Sequence, residues 1–281
     1  MARAVLPPER AFPVTAGAPH IRGFWNGDRI ALAVIIALLP PLGQTAYTAG
    51  IVMLPGLMVA LATAVAWQVA FAFGRRQPKT LSGTVSALIV AIMLPLEASL
   101  WQVALAVSFG VVIGEQIFGG YGRNFVNPAT LALAFLMFSF PDGGFDKGGF
   151  AGWEACLPGG LMLVAVGIVN WRIVVAALGG ALGVALASGG TPSFDPLLIG
   201  SFAFGLVFLA GDPVTAPATN WGRWVYGLII GGLVALGSAA GGSSARDVVF
   251  ACLIGSIFAP LIDQMAIWIN VQRRRRRYGQ S

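Results

Sequence analysis

The run Ala87-Leu88-Ile89-Val90-Ala91-Ile92-Met93-Leu94 is wholly apolar and stops at Pro95; after a few polar residues a second apolar run restarts at Trp101 and ends at Gly119-Gly120. The same order recurs later. Residues 202–210 are mostly apolar and stop at Gly211-Asp212-Pro213, the chain restarts at Trp221 and Trp224, and it reaches Gly241-Gly242. Each block precedes another apolar segment with a proline, Val126-Asn127-Pro128 in one case and Phe258-Ala259-Pro260 in the other. The repetition marks a duplicated chain. Proline cannot continue a helix, and unwound backbone at membrane depth is tolerated only where it lines a cavity or is buried in protein. Breaks at matching places in two halves therefore point to a binding site near the bilayer midplane.

Composition places the chain in lipid. Of 281 residues, 57% are apolar and only 10% charged, with a mean hydropathy of +0.81, whereas soluble domains carry about 25% charged residues. Ten candidate spans follow, at residues 30–48, 51–73, 84–94, 100–117, 128–140, 158–169, 173–187, 197–210, 224–240 and 248–270. Several are too short to cross a ~30 Å hydrocarbon core as straight helices, which takes ~20 residues. These are expected to be half-helices or strongly tilted.

The basic residues test that count. With ten spans and the N-terminus inside, only Lys147 and Arg246 of the 17 Lys and Arg fall outside. The other fifteen lie on the cytoplasmic side: Arg3, Arg10, Arg22, Arg29, Arg75, Arg76, Lys79, Arg123, Arg172, Arg223 and the five arginines at 273–277. Lys and Arg in short loops set orientation. The expected architecture is thus an all-α membrane protein of about ten transmembrane helices in two five-helix repeats, with both termini cytoplasmic. The odd number of crossings inverts the second copy. The divisions are a cytoplasmic lead-in at 1–29, a first repeat at 30–140, an extracytoplasmic loop at 141–157, a second repeat at 158–270 and a basic cytoplasmic tail at 271–281. The lead-in has no signal-peptide core, so no cleavage is expected.

A net charge of +6 and the arginine run invite a nucleic-acid reading. A basic tail just beyond a last span is instead an orientation signal against anionic lipid. Two cysteines, Cys156 and Cys252, are too few for an iron–sulfur cluster within this chain alone, and the single histidine, His20, gives no paired-histidine haem or metal site. Both cysteines read as small buried apolar residues. Trp25, Trp67, Trp101, Trp221, Trp224 and Trp268 near span ends read as interfacial anchors.

The stretch Gly119-Gly120-Tyr121-Gly122-Arg123-Asn124-Phe125-Val126-Asn127-Pro128-Ala129 resembles the Gly-Gly-x-Gly-x-Asn-x-Phe-Asn-Pro-Ala signature of the NqrB/RnfD family. Its members are membrane components of the sodium-pumping NADH:quinone reductase and of the Rnf electron-transport complex. Gly211-Asp212-Pro213-Val214-Thr215-Ala216-Pro217-Ala218-Thr219, followed by Gly222-Arg223, is similar to the family's Thr-Asp-Pro-Val stretch. Pro19-His20, Ala37-Leu38-Leu39-Pro40, Asn170-Trp171-Arg172-Ile173 and Pro260-Leu261-Ile262-Asp263 extend the likeness in order over residues 19–268. It implies two inverted five-span repeats in the bacterial cytoplasmic membrane. It also implies a membrane subunit, with further membrane and redox subunits as partners, of a complex coupling flavin-mediated electron transfer to sodium or proton movement.

In that family a flavin mononucleotide is typically esterified to a threonine in the loop after the fifth span. Here no Ser or Thr occurs between Phe140 and Ala187. A phosphoester needs a side-chain hydroxyl, so covalent FMN at the usual place is not expected, and a non-covalent FMN or riboflavin is the remaining form. The family pattern often carries lysine where Glu115 stands. The candidate cofactor contacts are Asp212, Thr215, Thr219, Asn124, Asn127, Ser82, Thr84 and Arg223. Helix N-termini and hydroxyls can hold a flavin ring or phosphate, but Asp, Asn and Thr also cap helix ends, and the small hydroxyls of Thr84 and Ser86 also serve close packing. Glu115, Asp212 and Asp263 are the ion-path candidates, since a charge at membrane depth costs at least ~2.5–3.5 kcal/mol. The competing functional readings are a redox-silent ion or solute channel and a scaffold for flavinylated partners.

Overall fold

The computed structural model describes residues 25–75, 80–95, 98–141, 152–187, 196–241 and 244–278. Most of the lead-in at 1–29, the hydroxyl-free loop at 142–151 and the last residues of the tail lie outside the described residues.

The described chain is all-helical, in ten α-helices: α1 Gly27–Ala49, α2 Met53–Arg75, α3 Ser82–Met93, α4 Leu100–Val111, α5 Pro128–Ser139, α6 Trp153–Val166, α7 Trp171–Ala187, α8 Pro196–Phe208, α9 Asn220–Ala239 and α10 Ser244–Tyr278. Helices and apolar segments coincide to within a few residues at most ends. Three helical stretches are long and apolar enough to cross a membrane by themselves: Gly27–Arg75, in which one 3₁₀ turn joins α1 to α2, Asn220–Ala239 and Ala245–Arg274. The others are short, as the broken segments require.

Local chemistry sets these ends. α3 stops where Pro95 cannot continue it, and Ser99 with Gln102 forms a reciprocal capping box at the start of α4. α4 runs on into a π-helical turn, Val112–Gln116, which carries Glu115. Asn127 accepts from the amides of Ala129 and Thr130 and caps α5, with Pro128 at the first helical position. The turn between the π segment and α5 depends on Gly119, Gly120 and Gly122, with φ of 108°, 93° and 88°, a region L side chains rarely adopt.

The packing displays the duplication. Within the first half α1 meets α3, α2 meets α3 and α4, and both α3 and α4 meet α5. Within the second half α6 meets α8, α7 meets α8 and α9, and both α8 and α9 meet α10. The halves join through α1 with α6 and α5 with α10, pairs that the duplication maps onto themselves. The closest helix pair is α7 with α9. A Cβ added at Gly180 would meet the Leu228 carbonyl and Cα, and one at Gly227 or Gly231 would meet the carbonyls of Ile173 or Ala177. Small residues let backbones approach where lipid supplies no hydrophobic drive between helices.

Replacing Gly231 with Ala should destabilise the protein by about 1–3 kcal/mol, the usual cost of overpacking. Gly179, on the same pair but with open space around it, should tolerate Ala without loss. Thermal unfolding in detergent of G231A against G179A checks the difference.

Candidate functional site

The two proline breaks line separate cavities. Pro95 and Leu94 face a cavity of about 200 Å³ with Thr45, Val52, Met53 and Gly56, near the junction of α1 and α2. Asp212 and Pro213 line another, of about 50 Å³, with Ser82, Glu115, Asn124 and Asn127. The matching breaks, expected to point to one binding site near the bilayer midplane, do not share a cavity, and the reason is the inversion itself. Equivalent breaks of inverted copies fall at opposite ends of the bundle. The Asp212 break therefore faces the beginning of α3, not its end.

The smaller cavity lies where α1, α3 and α5 begin and α4, α6 and α8 end, lined by Ile30, Ser82, Pro128, Glu115, Leu163 and Phe208. Arg75 in the last turn of α2 closes this end by donating to the Gln116 carbonyl at 2.5 Å.

Glu115 is 1% exposed. Its Oε1 accepts from the Ser82 hydroxyl at 2.6 Å and from Gln116 Nε2 at 3.1 Å, which leaves Oε2 without a protein donor among the described residues. Ser82 in turn accepts from Gln68 Nε2 at 3.1 Å. Its single proton is given to Glu115, so Thr80, 3.0 Å away, is the donor in their contact. A relay of Gln68, Thr80 and Ser82 thus ends on a buried carboxylate. A Cβ at Gly83 would strike the Gln68 amide within 2.6–3.0 Å, so glycine next to Ser82 makes room for that relay.

Asp212 belongs to the other half. Its Oδ2 accepts from Thr215 Oγ1 at 3.1 Å and from Asn127 Nδ2 at 3.4 Å, and its Oδ1 accepts from the Val214 amide at 3.2 Å. Asn127 therefore serves both readings. Its carbonyl caps α5 while its amide crosses to Asp212 and ties the two halves together. Asn124 organises the glycine turn, accepting from the Gly122 amide and donating to the Val126 carbonyl.

Four sequence candidates lie elsewhere. Asp263 on α10 accepts from the Ala218 amide at 2.7 Å, the Thr219 amide at 3.0 Å and the Thr219 hydroxyl at 2.5 Å. Thr219 accepts from the Gly222 amide and caps α9, and Arg223 donates to the Pro217 carbonyl. Asp263, Thr219 and Arg223 thus form a clamp that fixes the start of α9 against α10, apart from the cavity, because the backbone donors of the 217–219 turn have a carboxylate beside them. Thr84 is half-buried and does not line the cavity. Ser86 does line it, while its hydroxyl donates to the Ser82 carbonyl. Cys156 and Cys252 are both buried and reduced, as small apolar residues are.

Sequence reasoning missed Tyr121, which lines the cavity, and Gln68, which starts the relay. Gln68 left a signal: it is the one amide within the apolar α2. Polar residues there bond across helices.

The sequence matches the NQR2, RnfD, RnfE family over residues 14–153 and 144–271. The chain belongs to this family. It is 31% identical to the B subunit of the Na(+)-translocating NADH-quinone reductase of Ectopseudomonas mendocina (strain ymp), over 93% of this chain and 79% of that protein. The protein of the same name from Stutzerimonas stutzeri (strain A1501) is 32% identical over the same shares, and that of Chromohalobacter salexigens 33% over 80% of this chain and 67% of the relative. Two of the motifs on which the sequence resembles the family, the glycine turn with Asn124 and Asn127 and the Asp212-Pro213 break, line the cavity.

The clamp and the cavity should respond differently to mutation. Asp263→Ala leaves three donors without their acceptor and should lower stability by about 1–3 kcal/mol or more. Asp212→Asn keeps an acceptor oxygen and should change the unfolding temperature little. Thermal unfolding of both variants in detergent makes the comparison.

Proposed function

We propose that this chain is the membrane subunit of an Nqr/Rnf-type complex in which electron transfer drives sodium or proton movement, and that the Glu115–Asp212 cavity is a station on the ion path. One observation carries this reading: the two halves of the duplication each deliver a carboxylate to a single small cavity. Carboxylates in an apolar bundle are costly to keep, and their default use is in moving ions. The names of the relatives, which describe a sodium-translocating reductase, support the same direction.

The cavity volume bears on what passes. At ~10–15 Å³ per water, about 50 Å³ holds roughly three to five waters or a small cation with part of its hydration. Cofactor pockets run to about 300–1,000 Å³. A flavin ring does not fit between Asp212, Asn127 and Ser82, so electrons are carried by a cofactor of partner subunits or at a surface shared with them. Asn127 and Thr215 hold Asp212 by long bonds that an entering cation can replace. Glu115, with one oxygen free of protein donors among the described residues, can take a cation, or a proton that Ser82 can relay.

The setting follows from the charge distribution. We place the protein in the bacterial cytoplasmic membrane, crossing it ten times with both termini cytoplasmic, because the fifteen-to-two partition of Lys and Arg favours that orientation. The cavity then opens on the cytoplasmic half of the bundle. Its partners are the other membrane and redox subunits of the complex.

Asp212→Asn and Glu115→Gln should each lower coupled ion transport by the assembled complex at least about tenfold with membrane insertion intact. A charge ~4 Å from a passing cation contributes about 4 kcal/mol at an effective dielectric constant of ~20. Sodium or proton flux measured against electron transfer in vesicles tests this, and full coupling in both variants would refute it. A redox-silent channel, the competing reading, would pass ions with no donor present.

The hydroxyl-free loop yields a separate expectation. Denatured protein from cells competent for flavinylation should show no in-gel flavin fluorescence. A fluorescent band on this chain would redirect attention to Thr215 and Thr219.

A further inference from the structure

The end of α10 carries a groove that the cavity chemistry does not use. Ile262, Met265, Ala266, Ile269, Asn270 and Arg273 line it, and their spacing of three and four residues sets them on one face of the helix. Trp221, Gly222 and Val225 of α9 form the opposite wall, and the groove holds about 220 Å³. Because Asp263 fixes the start of α9, α10 continues past that start, and the stripe from Met265 to Arg273 extends beyond the α9 wall. From Ile262 to Arg273 the stripe is about 16 Å long at 1.5 Å per residue.

The walls are graded. Among the described residues the polar lining lies at one end, in Asn270 and Arg273, and none of the lining is acidic. Around it α10 exposes Phe258, Leu261, Met265, Ile267, Trp268, Ile269 and Val271. Past Asp263, which the 218–219 turn engages, residues 264–272 carry no charge and apart from Gln264, Asn270 and Gln272 are apolar, as a helix in lipid is. Charge resumes at Arg273 and continues through Arg274 into the arginine run. The lipid–water boundary on this helix therefore falls near Arg273, and the groove runs from that boundary toward the bilayer interior.

The geometry points to a seat for one anionic phospholipid, its acyl chain lying along Ile262, Ala266 and Ile269 against Trp221 and Val225, its phosphate on Arg273. Three features select this occupant. The groove is elongated and apolar, as a single acyl chain requires. Its charged end lies at the membrane surface, which is where a phospholipid of that leaflet carries its headgroup. Finally, the charge is positive and joined to a basic run, which an anionic headgroup complements and a neutral molecule does not. The seat also has a consequence for assembly: a lipid there fills the space between α9 and the overhanging end of α10, on the same rim of the bundle as Arg75 and Arg223.

Trp221 reports on the groove. Full-length protein is placed in phosphatidylcholine vesicles containing a minor fraction of lipid brominated on its acyl chains, either phosphatidylglycerol or phosphatidylcholine, and the Trp221 contribution is isolated by subtracting the W221F variant. Brominated phosphatidylglycerol should quench Trp221 as though enriched about fivefold over brominated phosphatidylcholine, the enrichment that about 1 kcal/mol per arginine near the surface gives. R273A should remove that preference with residues 274–277 unchanged, and A266F, which fills the groove, should weaken quenching by both lipids. Unchanged helicity and unfolding temperature show that the variants fold. Equal quenching by the two lipids would overturn the proposal. So would a preference that survives R273A, which would assign it to general surface charge, or an absence of quenching by either lipid, which would mean that a protein partner or nothing occupies the groove.

Discussion

A helix that ends inside an apolar bundle leaves backbone amides and carbonyls that water does not reach, and each unpaired group costs several kcal/mol in hydrocarbon. Much of this structure answers that demand. Asn127 takes the first amides of α5, Asp212 takes the amide of Val214 beyond the break after α8, and Asp263 takes two amides ahead of α9. Three polar side chains, two of them carboxylates, are therefore required before any function is considered. Asn127 caps with its oxygen and has its amide left for Asp212.

The inversion decides where such residues gather. In a direct repeat, equivalent breaks would lie at the same end of the bundle and could share a cavity. In an inverted repeat they lie at opposite ends: the Asp212 break meets the intact beginning of α3, while the Pro95 break faces the junction of α1 and α2. Ser82 at the start of α3 thus faces Asp212 beyond the end of α8, and the cavity between them is built from non-equivalent residues. Its two carboxylates also differ in kind. Glu115 comes from a π-helical turn, a local widening that aims a side chain away from the regular helical face, and Asp212 from a proline break.

The sequence made the elements legible because lipid imposes a strict rule on them: apolar runs, prolines, glycine pairs and basic loops are all visible one residue at a time. It also made most of the cavity legible, since Asn127, Asp212, Ser82 and Glu115 stood out as polar groups at breaks. Two things were not. The identical chemistry of a cap and an ion ligand kept Asp263 and Asp212 equivalent until their partners were known. The pairing of α3's start with α8's end depends on three-dimensional inversion, and no local pattern around Pro95 reports it. Gln68 and Tyr121 were hidden for a third reason: each is ordinary in its own segment and matters through a contact across helices.

Asp212 and Asp263 share a residue type but hold their partners differently. A carboxylate has about four acceptor sites. Asp263 fills three of them with bonds of 2.5–3.0 Å, two from backbone amides that precede α9, so displacing them would loosen the start of α9. Asp212 fills three with bonds of 3.1–3.4 Å, two of them from side chains that can rotate away. Charge-assisted bonds are normally shorter than neutral ones, so the longer set is the weaker. A cation approaching Asp263 would have to compete with the fold, whereas one approaching Asp212 competes only with Asn127 and Thr215. The exchangeable carboxylate faces the cavity and the saturated one does not, as expected if capping and ion handling were separated between two aspartates of the same half, one at the break after α8 and one within α10.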